Sequence, residues 1–217
     1  MNSSLLQLLV LAGIAVFLIL RLRSVLGTRD GFEPPREIQS SPRQRPDLEV
    51  IEGGPDRDIT DHVDEDSTAA KALTAMKKTD PSFNVSEFLQ GARGAYEMIL
   101  MGFETGDLGA IKPFLAEDVY GAFAEVVESR ESQGLTIEAQ FIGVREMTLA
   151  DAHFDDASSE GEVTVRFVGE LTSVVRDRAG DIIEGDETKP KRQKDVWTFA
   201  RNMSSSDPNW QLVATGE

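Results

Sequence analysis

The spacing of apolar residues changes once along the chain, at Gly134, and that change dictates the fold class. Before it, Phe88, Ala92, Ala95, Tyr96, Ile99 and Phe103 recur every three or four residues, the spacing of one buried helical stripe. Asn84 with Glu87 three positions later has the form of a capping box at the start of that helix. Its stop is expected between Gly102 and Gly106, and Asp107 can cap a short helix through Ile111 and Phe114. A third helix, from about Glu117 to Gln133, is expected to turn Val119, Phe123, Val126 and Val127 inward and to end at Gly134. After Gly134, Val163, Val165 and Phe167 alternate with Thr164, Arg166 and Val168, which is strand spacing. Stretches 136–147, 195–201 and 210–215 read the same way. Asp177-Arg178-Ala179-Gly180-Asp181 is a hairpin turn signal, and Lys189-Pro190-Lys191-Arg192 marks an exposed loop before the next strand. Helices first and antiparallel strands afterwards make an α+β domain, not a doubly wound α/β one. A sheet packed on those helices is expected to curl into a cone with an interior pocket.

Upstream the chain divides into three further parts. Residues 5–20 are apolar except for Gln7, and Leu22 extends the run past Arg21. About 20 helical residues at roughly 1.5 Å each reach roughly 30 Å, the thickness of a bilayer core. A signal-peptide core is the rival reading. It needs basic residues before the core and small residues after it. Here Met1-Asn2-Ser3-Ser4 is uncharged, Arg21, Arg23 and Arg29 all follow, and no Ala-x-Ala site stands at the exit. Residues 1–23 are therefore expected to be an uncleaved transmembrane anchor, with the C-terminal domain in the cytoplasm by the positive-inside bias. Residues 24–66, rich in Pro, Gly, Ser and acidic side chains, read as an acidic flexible linker. In residues 67–80, Ala69, Ala72, Leu73 and Met76 line one side of a short amphipathic helix ending at Lys77-Lys78. Such a helix either packs loosely on the domain or lies on a membrane or partner. The globular domain is expected over 81–217.

Composition removes whole classes of function. With 38 acidic against 22 basic residues the net charge is -16. A nucleic-acid binder needs the opposite balance, and broad adhesion to anionic lipid is disfavoured too. The absence of Cys removes disulfides, thiolate nucleophiles and Cys-ligated metal sites. His62 and His153 are the two histidines of the chain, too far apart in sequence to suggest a metal pair or a catalytic base. The glycines of 91–94 and 102–106 lack the preceding strand and the Lys-Ser/Thr of a phosphate loop. Glu97 would serve as a base only if burial raised its pKa, and helical spacing equally allows it to face solvent. No catalytic, cofactor-binding or metal-binding residue is assigned, and no enzymatic activity is expected. Arg166, Arg176, Lys189, Lys191 and Arg192 form a local basic group on an acidic chain, the candidate contact for an acidic partner or lipid headgroups.

Longer motifs carry a family resemblance. Phe88-Leu89-Gln90-Gly91-Ala92-Arg93-Gly94-Ala95-Tyr96-Glu97-Met98-Ile99 resembles the opening helix of the import-motor adaptor family, whose best-known member is the forty-four-kilodalton subunit of the mitochondrial inner-membrane translocase. Gly106-Asp107-Leu108, Glu128-Ser129-Arg130-Glu131, Asp195-Val196-Trp197-Thr198-Phe199-Ala200-Arg201 and Asp207-Pro208-Asn209-Trp210-Gln211-Leu212-Val213-Ala214-Thr215 follow in the family's order. The likeness covers roughly 82–217, and the apolar N-terminal run makes it similar to the bacterial, membrane-anchored TimA-like branch. The resemblance implies a cone of the nuclear-transport-factor-2 type and a membrane-associated adaptor that recruits a seventy-kilodalton, DnaK-type chaperone. The family's long charged N-terminal arm is here a short acidic tether.

These readings converge on a single-pass protein of a bacterial inner membrane, an adaptor presenting a client-, chaperone- or lipid-binding domain in protein translocation or membrane-protein biogenesis. Its expected partners are inner-membrane lipid, a DnaK-type chaperone, client polypeptides or a membrane complex, with no nucleic acid and no cofactor. Two other readings stay open: a small-molecule-binding or enzymatic cone, and a structural scaffold of a membrane complex.

Overall fold

The computed structural model describes residues 54–216. The expected anchor, 1–23, and most of the expected linker lie outside the described residues. Among the described residues no helix is long and apolar enough to cross a membrane.

Five helices precede four strands: α1 (Arg57–Thr60), α2 (Thr68–Thr79), α3 (Val85–Thr105), α4 (Leu108–Ile111), α5 (Glu117–Gln133), β1 (Thr136–Asp155), β2 (Glu160–Arg176), β3 (Ile182–Asn202) and β4 (Gln211–Gly216). A single turn of 3-10 helix, Lys112–Phe114, follows α4. The strands form one antiparallel sheet in the order β1-β2-β3-β4, a meander in which each strand pairs with the next. This is the expected α+β arrangement.

Local chemistry sets the helix ends. The Asn84 side chain accepts from the Glu87 N–H at 2.8 Å, and the Asp58 carboxylate, on α1, accepts from Val85 and Ser86 at 2.7 and 3.0 Å. Side chains thus occupy the N–H groups that a helix start leaves without intrahelical partners. At the end of α5, Gly134 adopts φ 71°, and the Gly134 and Leu135 N–H groups close onto Glu131 and Arg130 carbonyls at 2.8 and 3.0 Å. Glycine enters that left-handed conformation without a Cβ clash, so the helix stops there. One inward assignment fails: Val126 is 42% exposed. Helix α5 buries only a narrow stripe, Val119 and Val127 with Phe123 half-buried beside them, and Val126 stands one residue further around the helix from it.

The domain begins well before Pro81. Helix α2 buries Leu73 and Met76 completely and Ala69 and Ala70 nearly so, packing on β1 as one wall of the core. Ahead of it, α1 buries Ile59, and Lys77 on α2 binds both Asp56 and Asp58 at 2.7 Å. The apolar face of α2 is therefore consumed inside the domain. It is neither loosely packed nor free to lie on a membrane.

The strands run further than alternation alone showed. Residues 148–155 complete β1, and β3 is continuous from Ile182 to Asn202. The segment expected as a loop, Lys189 to Arg192, is split: Lys191 pairs with Leu171 and Arg192 with Glu170, while residues 187–190 bulge out between Asp186 and Lys191. Pro190 cannot donate to a ladder, which suits it to a bulge on an outer strand.

At the centre, the ring of Tyr96 stacks on Phe167 at 4.4 Å with 11° between planes, and Trp197 lies tilted against it at 4.8 Å. Gly169 makes room for this ring: a Cβ there would lie 2.5 Å from the Tyr96 hydroxyl. The space between α3 and the sheet is thus filled with aromatic side chains, and the open clefts lie at its margins.

Candidate functional site

A cleft of about 380 Å³ with largely aromatic walls opens between the start of α3 and the far end of β3. Its walls are Phe83, Phe88, Phe114, Phe199 and Trp210. Helical spacing puts Phe88 one turn from Ala92 on the inward face of α3, and strand alternation puts Phe199 and Arg201 on the inward face of β3. Trp210, just before β4, closes the group at 4.7 Å from Phe88 and 5.7 Å from Phe83.

Arg201 forms one polar side of the cleft. Its side chain is only 9% exposed, its guanidinium binds the Asp80 carboxylate, and its Cζ lies 5.3 Å from the Trp210 ring centre. The guanidinium Nε is buried without a hydrogen-bond partner. Asp80 also accepts from the Ser82 hydroxyl at 2.6 Å and the Ser82 N–H at 2.9 Å. The Ser82 hydroxyl and then Arg201 hold the Asp80 carboxyl below the usual range, against the opposing effect of burial. The charge pair is committed internally, so the cleft offers aromatic walls and a fixed dipole. That chemistry suits binding of an apolar group.

The five basic residues of the sequence do not form one patch. Arg166 is exposed opposite Val196 on the outer face of the sheet, and Arg192 shares that face, its Nε 3.9 Å from Glu170. Lys191 points to the opposite face, where it lines a cleft of about 360 Å³ with Glu104, Arg130 and Glu184. Arg176 is occupied by Glu138, Glu187 and the Gly180 carbonyl at 3.1, 2.5 and 3.1 Å. Lys189 stands on the bulge, 3.1 Å from Asp186. Sequence proximity merged these sites because it ignores the two faces of a strand. It also passed over Lys194, exposed on the outer face opposite Val168 and close to Arg166 and Arg192.

Glu97 faces solvent, as does His153, while His62 lies 3.1 Å from the Ser86 hydroxyl beside α3. Among the described residues no group of three or more His, Asp or Glu stands together as a metal site. Part of the signal for this cleft was present: Phe88 and Trp210 belong to the first and last of the family motifs, which only the fold brings together, and Phe83, outside those motifs, joins them.

A helical layer against a four-stranded meander, with an aromatic cleft at its margin, defines an α+β domain. Residues 69–217 match the family described as the Tim44-like domain, and the chain belongs to that family. The matched span starts inside α2, in keeping with that helix being part of the domain. The mitochondrial import inner membrane translocase subunit TIM44 of Homo sapiens is 26% identical over 148 residues, covering 66% of this chain and 32% of that protein. The Rattus norvegicus protein is 25% identical over the same length. The probable subunit tin-44 of Caenorhabditis elegans is 24% identical over 149 residues, covering 34% of its length. The chain thus spans about a third of the length of these relatives. Among solved structures, the intermembrane space region of the chloroplast protein ARC6 superposes with a TM-score of 0.42 at 8% identity, over 59% of this chain and 94% of that one. An overlap that loose supports no argument.

Proposed function

We propose that this protein is a membrane-anchored adaptor of a bacterial inner membrane that presents its Tim44-like domain to client polypeptides, a DnaK-type chaperone or a membrane complex. The observation that carries the reading is the union in one chain of an apolar run at 5–20 and a Tim44-like domain at 69–217. The relatives are named as subunits of an inner-membrane translocase, which supports a role in protein translocation or membrane-protein biogenesis. An antiparallel sheet with helices packed on it supports a cone of the nuclear-transport-factor-2 type. The anchor holds the domain by a single span with its C-terminal part in the cytoplasm, and the linker gives it reach. Over the roughly 30 residues between that anchor and the first described residue, a flexible tether has a root-mean-square span of roughly 30 Å, so partners meet the domain at raised local concentration. Arg166 and Arg192, on one exposed face, are the contacts for acidic partners or lipid headgroups in this reading. Lys191 serves the opposite face, and Arg176 and Lys189 contribute after release from their ion pairs.

Deleting residues 1–22 tests the anchor. The shortened chain is expected in the soluble fraction, and its persistence in membranes defeats single-span attachment. Protease cleavage of the domain in inverted vesicles but not in spheroplasts is expected, and the reverse pattern removes the chaperone role. The cleft walled by Phe88, Phe199 and Trp210 favours one second reading, capture of a small apolar molecule. A bound apolar ligand in native mass spectra of the purified chain supports it, and an empty cleft counts against it.

A further inference from the structure

Helices α2 and α3 lie on one face of the sheet, where Met76 reaches Gly161 and Tyr96 stacks on Phe167. The even-numbered residues of β2 point to the other face, which has no helical layer among the described residues. On that outer face Arg166 lies opposite Val196, Val168 opposite Lys194 and Glu170 opposite Arg192. Arg166, Lys194 and Arg192 therefore occupy successive outer rows, about 7 Å apart at roughly 3.4 Å per residue. Val168 and Val196, half-buried, form the floor between them. Nearby carboxylates leave this strip positive. Glu170 is buried and binds Arg145 at 2.5 Å, Arg192 reaches it only at 3.9 Å, and Arg166 and Lys194 have no ion-pair partner among the described residues. Glu146, opposite Val168 on β1, is the one free carboxylate of these rows among the described residues.

We infer that this strip receives an acidic polypeptide segment lying along β2 and β3, and not a lipid surface. The rest of the outer face decides between the two. Glu138, Glu146, Asp151, Asp155, Glu160 and Glu162 share it, in the outer register of β1 and β2. A bilayer meets the face as a plane, which sets these carboxylates, on a chain of net charge -16, against anionic headgroups. A narrow segment avoids them. Strands lie about 4.8 Å apart, so β1 stands about 10 Å from β3, beyond the screening length of about 8 Å at physiological salt. Same-face side chains of an extended chain recur about every 7 Å, so glutamates at every second position meet Arg166, Lys194 and Arg192 in turn. Their methylene stems cover Val168 and Val196.

The inference rests on the adaptor reading, which anchor deletion and vesicle topology test separately; a chain that passes those and fails here loses only this site. The full chain is held in phosphatidylcholine nanodiscs and titrated with a fluorescein-labelled peptide of eight Glu-Ser repeats, followed by anisotropy. Binding is expected, and a peptide of eight Lys-Ser repeats is expected to stay free. Arg166→Glu with Lys194→Glu turns attraction into repulsion at both positions and should weaken the acidic peptide roughly tenfold or more. Lys71→Glu with Lys78→Glu makes the same change of net charge on α2 and should alter binding by less than about twofold, because salt screens it at that distance. These four positions are exposed, so the Trp fluorescence of each variant should match the parent. In a second arm the same discs are floated with phosphatidylglycerol vesicles and are expected to remain behind. Failure of the Glu-Ser peptide to bind, equal losses in the two double variants, or co-flotation that Arg166→Glu with Lys194→Glu abolishes, which makes the strip a lipid site, each overturns the inference.

Discussion

The Tyr96 hydroxyl donates to the Asp195 carboxylate at 2.6 Å, joining the middle of α3 to β3 through a hydrogen bond inside the core. Asp195 is 9% exposed and takes a second bond from the Gln193 amide at 3.1 Å. Burial first, and then the neighbouring carboxylate, push the Tyr96 phenol upward, so it remains a neutral donor through the physiological range. Tyr96→Phe keeps the ring stacked on Phe167 and strips Asp195 of its main partner. Leaving that acceptor unmet is expected to cost about 1–3 kcal/mol, read from denaturant unfolding of the full chain in detergent. The tyrosine's raised folded pKa also fixes a sign. Its contribution is complete below the unfolded value near 10 and is lost as pH rises beyond it. The Phe variant should therefore lose less stability than the parent between pH about 9 and 11.

Two glycines predict opposite results from the same substitution. A Cβ on Gly169 would come 2.5 Å from the Tyr96 hydroxyl and 2.9 Å from its ring edge. Gly169→Ala is expected to destabilise by about 1–3 kcal/mol, because the stacked aromatic core cannot retreat. Gly94, in the exposed middle of α3, has nothing within 4 Å of an added Cβ. Gly94→Ala should stabilise by about 1 kcal/mol through helix propensity alone. Thermal melts of the two variants give both signs.

The extent to which this fold was readable depends on how locally each element is determined. Helix α3 was clear because Asn84, the stripe from Phe88 to Ile99 and Gly106 all lie within one segment. The sheet's existence was clear from alternation at Val163, Val165 and Phe167, but its length was not. Beyond the helical layer both faces of β3 meet water, so Lys191 and Arg192 show no contrast between faces although they are paired. Helix α1 is held by Lys77 binding Asp56 and Asp58, and no periodicity announces a four-residue helix fixed by distant charges. The cleft has the same difficulty: Phe88 and Trp210 stand far apart in sequence, in the first and last of the family motifs. Family motifs located both ends, and only the fold joined them.

Acid should loosen the α1–α3 junction first. Burial would raise the Asp58 carboxyl, but the Lys77 ammonium and the Val85 and Ser86 N–H groups outweigh it and hold that carboxyl well below the usual range. A depressed folded pKa contributes stability that is present above the unfolded value near 4 and lost as pH falls below it. Asp58→Asn is expected to flatten the stability profile below pH about 4. It should also cost about 1 kcal/mol at neutral pH, because α3 loses a capping acceptor. Unfolding midpoints of parent and variant across pH 2–7 test both parts.

Arg201 and Asp80 connect the cleft to the stability of the whole domain. Asp80 is the residue after α2 and Arg201 lies on β3, so their pair ties the N-terminal wall to the sheet while Trp210 lies over the guanidinium. Arg201→Met retains much of the stem against Trp210 yet leaves the Asp80 carboxylate in a mostly buried place with only Ser82. Breaking one side of a buried pair is expected to cost about 3 kcal/mol. Replacing both residues, with Asp80→Asn beside Arg201→Met, removes the stranded charge and should recover a large part of that loss. A double-mutant cycle on unfolding free energies separates the two cases. Additivity of the two substitutions would mean that the pair is a surface contact in solution, and the cleft would then lose its fixed polar side.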